Sequence, residues 1–320
     1  MIERMNLLGS LGVKFLFIID FEANCGYVIP ETELDSNYLH LQFPDFQFPN
    51  QKNQSGNSSK IFWNIFPVDY EDYRSKLLFV QQEIRRGNSF LVNLTQPTKI
   101  ETDLNLEQIF RISRAKYKLW LKDKFVVFSP EIFVRIENGK IASFPMKGTI
   151  DAKIPNAHEI ILNNKKEMAE HATIVDLIRN DLSMVAENVH VVRYRYVENI
   201  QTNKGELLQV SSCIKGNLAE NYKQKLGDII FKMLPAGSIS GAPKPKTIEI
   251  IRQAEGYDRG FYTGIFGWYD GEKLDSAVMI RFIEQQGENL VFKSGGGITS
   301  QSDVESEYQE LIQKVYVPIS

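Results

Sequence analysis

Cysteine is scarce in this chain. Cys25 and Cys213 are the two present, too few and too far apart for a disulfide framework or for the close Cys/His spacing of a structural zinc site. That usage fits a reducing cytoplasm. Charge of one sign is lacking as well: 37 Lys and Arg stand against 40 Asp and Glu, a formal net charge of -3. No bulk field is left to gather nucleic acid. Long hydrophobic runs are missing too. The run near the N-terminus, KFLFII (Lys14 to Ile19), is too short to span a bilayer and lacks the small-residue cleavage site of a signal peptide, so a buried strand is expected there. No repeat recurs at a fixed short period, which excludes solenoids and propellers. What remains is ordinary: 320 residues, 43% hydrophobic, with 21 Gly and 12 Pro, enough for one large domain or two smaller ones. The expectation is a cytoplasmic protein with neither a nucleic-acid nor a membrane partner.

Periodicity predicts the elements. Residues 14–30 read as two strands joined through Asn24 to Gly26. Pro49 to Lys60 (PNQKNQSGNSSK) is polar and poor in apolar residues, the one clear loop or linker, and a soft boundary falls there. Tyr70, Tyr73, Leu77, Val80 and Ile84 recur at spacings of three and four, predicting a helix over 69–86 that stops at Gly87. Ser89 to Ile100 reads as a strand, and Leu104 to Ala115 as a helix capped by Asp103. Three short strands are expected at 125–129, 132–137 and 140–144, the last two turned at Asn138-Gly139, a strong hairpin signal. The longest helix is expected over 165–187, with Asn164 and Glu167 forming a capping box. Strands at 189–201 and 207–215 precede an amphipathic helix over 221–234, a small-residue loop from Ala236 to Pro243 and a helix carrying Thr247 to Gln253. Residues 261–270, 274–283 and 290–294 read as strands, the last broken by Gly295-Gly296-Gly297, and a final helix follows Ser302, whose spacing to Glu305 again fits a capping box. Helices among hairpin-connected strands predict an α+β fold with large, mainly antiparallel sheets.

Six stretches can carry chemistry. In SFPMKGT, Lys147 follows an apolar strand and sits between Pro145 and Gly148, where a strand breaks. An amine held among apolar neighbours is disfavoured as ammonium and becomes a nucleophile, although a lysine at a turn is more often a plain surface residue. Glu167 and Glu170 are three apart near the start of one helix, and Glu307 and Glu310 are three apart on another. Each pair shares a helical face. Such a pair alone is commonplace, but four converging carboxylates would require a hard cation such as Mg²⁺. The loop PAGSISGAP (Pro235 to Pro243) with Lys244 and Lys246, and the glycine run 295–297, offer backbone N–H groups to an anion; the glycine-to-lysine spacing is not that of a P-loop. Arg281, in the expected strand 274–283, could pair bidentately with a carboxylate. Together these features fit a small substrate carrying more than one carboxylate.

Ordered blocks from about Phe62 to Val317 carry a resemblance: GNSFLVNLTQ (87–96), FSPEIF (128–133), PMKGT (145–149), KKEMAEHATIVDLIRNDL (165–182), LPAGSISGAPKPKTIEII (234–251), RGFYTGIFGW (259–268), AVMIR (277–281) and SGGGITSQSDVESEYQE (294–310). With them the chain resembles the chorismate-utilising enzymes, the family of the anthranilate, aminodeoxychorismate, isochorismate and salicylate synthases. The resemblance implies a layered α/β/β/α sandwich. It also implies a catalytic domain over 61–320, with residues 1–60 a short strand segment and polar loop of the same globule in place of a longer segment that carries a tryptophan pocket in many relatives. Anthranilate synthases look like P-I-A-G-T where this chain has Lys147, and aminodeoxychorismate synthases look like P-I-K-G-T. The implied reaction is therefore conversion of chorismate and ammonia to 4-amino-4-deoxychorismate, the step before p-aminobenzoate and folate.

Roles follow from the resemblance. Lys147 would be the nucleophile and Glu131 the proton donor. Glu167, Glu170, Glu307 and Glu310 would hold Mg²⁺. Substrate contacts are implied for Gly148, Thr149, Gln209, Ser238, Ser240, Tyr262, Arg281, Gly295, Gly296 and Gly297. Gln209 stands where relatives usually carry a His that anthranilate synthases tie to pyruvate elimination. No glutaminase Cys-His pattern is present, so a glutamine amidotransferase subunit is implied as the source of ammonia. The competing readings are anthranilate synthase component I, disfavoured by Lys147 and Gln209, then isochorismate or salicylate synthase. A catalytically inactive chorismate-binding regulatory subunit is the reading from another class.

Overall fold

A computed structural model describes residues 1–50, 61–202 and 205–318; most of the polar loop expected over 49–60 lies outside them. In chain order the strands are β1 (Phe15–Ile19), β2 (Gly26–Pro30), β3 (Leu39–Phe43), β4 (Phe46–Phe48), β5 (Trp63–Phe66) and β6 (Leu91–Thr102). Then come β7 (Tyr117–Leu121), β8 (Phe125–Ser129), β9 (Ile132–Glu137), β10 (Lys140–Ser143), β11 (Met146–Asp151) and β12 (Glu187–Thr202). The last six are β13 (Gly205–Asn217), β14 (Gly241–Ala242), β15 (Ile265–Tyr269), β16 (Leu274–Val278), β17 (Phe282–Gln286) and β18 (Asn289–Ile298). The helices are α1 (Ile2–Ser10), α2 (Tyr70–Arg85), α3 (Leu106–Ile112), α4 (Ala157–Asn163), α5 (Lys165–Ser183), α6 (Leu226–Lys232), α7 (Lys244–Glu255) and α8 (Val304–Gln313). None is long and apolar enough to cross a membrane.

The chain divides into two compact units, each gathered from three segments: Met1–Glu31, Glu131–Ser238 and Gly264–Val278 in the first, Thr32–Pro130, Ile239–Thr263 and Met279–Ser320 in the second. The first holds a nine-stranded sheet in the order β11-β13-β10-β9-β16-β15-β1-β2, with β12 also on β13. The second holds another, β14-β6-β18-β17-β8-β7-β3-β4, with β5 on β6. Every pairing among the described residues is antiparallel, so the α+β class expected from the hairpin-rich sequence is the one found. Residues 1–48 supply strands to both sheets.

Local chemistry explains the element ends. Asp69 caps α2 by accepting the backbone N–H groups of Glu71 and Asp72. The turn at Asn138 and Gly139 has φ of 51° and 70°, the pair of left-handed residues a two-residue hairpin requires. Phe15 to Ile19 of the KFLFII run form β1, buried throughout. Three expectations need correcting. The cap of α3 is Asn105, not Asp103: Asn105 accepts from the Gln108 backbone at 2.9 Å and the Gln108 side chain returns a bond to the Asn105 N–H at 2.8 Å, a reciprocity that Asp103 cannot form. The cap of α8 is Asp303, which accepts from Ser306. The glycine run does not end its strand. β18 continues to Ile298, with Gly295, Gly296 and Gly297 opposite Thr95, Leu94 and Asn93; a β-carbon on Gly295 would lie 2.4 Å from the Leu94 carbonyl oxygen, so glycine serves the close approach of two strands.

Two helices went unforeseen, α1 and α4, each too short to show a period above noise; α1 buries only Met5 and Gly9 and α4 only Ala157 and Ile161. In the second unit Leu106, Ile109 and Phe110 turn α3 onto Trp120, Phe128 and Phe292. Beneath this cluster lies a buried ammonium: Lys118, 2% exposed, donates to the carbonyls of Phe110 and Ser113 at 2.9 Å and closes the C-terminal end of α3. Burial lowers its pKa to about 8. The unfolded chain, with a lysine near its ordinary value, then binds more protons than the folded one between about pH 8 and 10.5, and stability rises with pH across that window. The full effect is on the order of 3 kcal/mol. Urea titrations at pH 7.5 and 9.5 should show this rise, and Lys118→Met should remove that component of the slope.

Candidate active site

Lys147 lies on β11, an edge strand held by β13. Its register partner is Val210, and that of Thr149 is Gln209; the pairing slips between them. The extra residue is Gly148, at φ +77°, a left-handed conformation that side chains resist. This bulge sits beside the first two turns of α5. Glu167 occupies the space a Gly148 β-carbon would approach, with Oε2 at 3.4 Å, and the Lys147 Nζ is 3.6 Å from Oε2 of Glu170. The lysine side chain is 25% exposed and that of Glu170 10%. Its charged neighbour is thus a carboxylate, where the sequence leads one to expect apolar groups. Asn164 opens α5 by accepting the Glu167 backbone N–H at 3.1 Å, which fixes the angle at which both glutamates are presented.

A residue the sequence reading passed over lies next to them. His171, 1% exposed, meets the Ser212 hydroxyl at 2.7 Å through Nε2, and that hydroxyl accepts the Arg195 N–H at 2.9 Å. Burial, then the Arg195 and Lys147 charges, lower the His171 pKa to about 4, so the imidazole is neutral at pH 7. The signal available was its place in the helix, directly after Glu170 and one turn before the apolar Ile174 and Val175.

Glu131 precedes β9 in the same unit. Its Oε1 accepts a short hydrogen bond from the Ser238 hydroxyl, and its carbonyl accepts from Val278. It lines a pocket with Ser143, Asp181, Gly237 and Ser238, closed otherwise by apolar side chains such as Phe133 and Ile178. Asp181, 5% exposed, was not singled out in the sequence. Gln209 is half-buried on β13, opposite Thr149 and Glu198.

The remaining candidates belong to the second unit. Arg281 is not inside a strand: β16 ends at Val278 and β17 begins at Phe282 in the other sheet, and Arg281 occupies the passage at φ +54°. Its guanidinium stands 5.2 Å over the Tyr316 ring, a cation–π placement. Glu307 is 4% exposed. A β-carbon at Gly296 would lie 3.5 Å from Oε2 of Glu307 and 3.8 Å from Oε1 of Glu310, so both carboxylates gather at the glycine strand. Lys314 pairs with Glu310 at 2.6 Å and donates to the Gly295 carbonyl at 2.8 Å. The Ser240 carbonyl accepts from Asn93, the residue opposite Gly297. Tyr262, 3% exposed, packs on Phe282. Among the described residues no group of three or more His, Cys, Asp or Glu gathers as a metal centre. Each unit by itself offers two carboxylates, one of each pair withdrawn from water, and that oxygen donor set fits a hard cation.

A family model of the chorismate binding enzymes matches residues 28–320. The chain belongs to this family. A PabA-like protein of Pasteurella multocida (strain Pm70), itself named as uncharacterised, is 52% identical over 319 residues, covering 99% of this chain and 98% of that one. Anthranilate synthase component 1 of Acetivibrio thermocellus is 32% identical over 303 residues, 88% of this chain and 57% of that one. Aminodeoxychorismate synthase component 1 of Bacillus subtilis (strain 168) is 31% identical over 266 residues, 78% of this chain and 55% of that one. This chain thus spans little more than half the length of either synthase. The solved structure of the menaquinone-specific isochorismate synthase of Escherichia coli matches 98% of this chain and 79% of its own at a TM-score of 0.71 and 16% identity, a likeness of fold. Overall similarity does not choose among the activities of the chorismate-binding enzymes. Individual residues must.

Proposed function

We propose that this chorismate-binding enzyme is the synthase component that converts chorismate and ammonia to 4-amino-4-deoxychorismate, with a glutamine amidotransferase subunit supplying the ammonia. The observation that carries the reading is Lys147, an amine 3.6 Å from the Glu170 carboxylate on a bulged edge strand, at the position where the resemblance separates aminating branches. In the proposed reaction, the Lys147 amine attacks C2 of the ring as the C4–O bond breaks. Glu131 gives its proton to the departing hydroxyl, which leaves as water. Ammonia then forms the C4–N bond, the double bond shifts back, and the C2–N bond to lysine breaks; the proton that ammonia sheds restores Glu131. Chorismate and ammonia are consumed, and the aminated product and water are formed. With C2 occupied by lysine, nitrogen has C4 as its open position.

The half-buried Arg281 and the strand at Gly296 and Gly297 suit the enolpyruvyl carboxylate. Glu167, Glu170, Glu307 and Glu310 are the oxygen donors this reading assigns to Mg²⁺, which would supply positive charge for the ring carboxylate. The Ser238 hydroxyl orients the Glu131 carboxyl.

The reading is tested by incubating the purified chain with chorismate, an ammonium salt and Mg²⁺, adding a lyase that releases p-aminobenzoate from 4-amino-4-deoxychorismate. Ammonium-dependent p-aminobenzoate is the expected result. Anthranilate with pyruvate would instead assign the chain to the other aminating branch. Bound but unreacted chorismate would assign it to a regulatory role.

A further inference from the structure

Gly237 is a glycine that its own backbone does not require. Its φ is not among the left-handed values of the chain, so alanine would be conformationally acceptable there. What excludes a side chain is α5. A β-carbon at 237 would lie 2.9 Å from Oδ2 of Asp181 and 3.0 Å from two carbons of Leu177, residues four apart on one face of that helix. The short turn Gly237–Ile239 therefore rests directly on α5, hydrogen against carboxylate. The next residue is Ser238, whose hydroxyl donates to Glu131, and Glu131, Asp181, Gly237 and Ser238 all line one pocket.

We propose that Asp181 and Gly237 are positioning residues for Glu131: the contact of the turn with α5 sets where the Ser238 hydroxyl lies, and through it how readily Glu131 gives up its proton. The functional weight of this device rests on Glu131 as the proton donor of the reaction proposed above. A hydrogen bond to a carboxylate favours its ionised form, so a displaced Ser238 leaves Glu131 protonated to higher pH. Residue size at position 237 thereby tunes the acid.

The test reads Glu131 in the free protein, without substrate. Carboxyl-labelled glutamate is incorporated, the Glu131 signal is assigned by its loss in Glu131→Gln, and its titration is followed by carbon-13 NMR. Ser238→Ala should raise the Glu131 midpoint, by about one pH unit for the loss of a hydrogen bond to the charged form. Gly237→Ala should raise it in the same direction, and should add little in the Ser238→Ala background. Equal displacement by Gly237→Ala with and without the Ser238 hydroxyl would overturn the proposal, as would no displacement at all. Should Gly237→Ala fail to fold, Asp181→Asn replaces it: its effect on Glu131 must differ between the wild-type and Ser238→Ala backgrounds, and identical effects would refute the route through Ser238. Coupling without amination of chorismate would leave the device standing and remove the assigned reaction. Amination without coupling would do the reverse.

Discussion

Lys147→Ala should lower ammonium-dependent amination of chorismate by at least ~10²–10⁴-fold, the span a single positioned proton-transfer group typically contributes. The substitution deletes the attacking amine itself, so no slower version of the same covalent path remains. Structure should survive. The Lys147–Glu170 pair is partly exposed and lies at 3.6 Å, a type of pair worth about 0–1 kcal/mol, and Lys147 holds β11 through its backbone, which alanine keeps. Unfolding midpoints close to wild type, together with retained chorismate binding, would separate a chemical loss from a folding one. A variant that still aminates at wild-type rate would remove the nucleophile from the account.

Arg259→Met should destabilise the protein by about 3–5 kcal/mol, the cost of stranding one partner of a buried ion pair. Arg259 is 2% exposed and Glu255 3%. The guanidinium meets Glu255 through two bonds, Nε to Oε2 at 2.8 Å and Nη2 to Oε1 at 2.6 Å, the fork that only arginine presents. It also donates to the carbonyls of Ile239 at 3.0 Å and Asn93 at 2.7 Å, while Glu255 accepts from the Thr95 N–H and hydroxyl at 2.8 Å each. Without Arg259 a buried carboxylate keeps only the Thr95 bonds among these. The double variant Arg259→Met/Glu255→Met should lose less than the sum of the single losses, because neither charge is then left alone. Urea titrations of the four proteins measure that coupling; additive losses would mean that the pair contributes independently. Asn93 faces Gly297 across the sheet, so this network also braces the strand assigned to the substrate carboxylate.

Legibility in the sequence followed how local each signal is. The turn at Asn138-Gly139 and the carboxylate pairs three apart were readable because each depends on neighbours within four residues. Cap choice for α3 failed by two positions, since Asp103 and Asn105 are both good caps and the decision lay with the Gln108 side chain. The glycines at 295–297 were read as a break because glycine weakens strands, yet β18 runs on through them, and at Gly295 the neighbouring strand β6 leaves no room for a β-carbon. Arg281 was hidden in an apolar run that changes sheets midway, a switch that hydrophobicity alone does not mark. The division into two units was not legible either. Each unit is assembled from three chain segments, and composition does not change at those joints. His171 and Asp181 escaped because their roles depend on Ser212 and Gly237, partners more than forty residues away in the chain for the first and more than fifty for the second.

The central claim is that nitrogen enters at C4 because Lys147 occupies C2. It is tested most directly by turning over chorismate with ¹⁵N-ammonium and locating the label in the isolated product by nitrogen–carbon NMR correlation before any lyase is added. Nitrogen bonded to C4, with the enolpyruvyl group retained, is the expected result. Nitrogen bonded to C2 would contradict it.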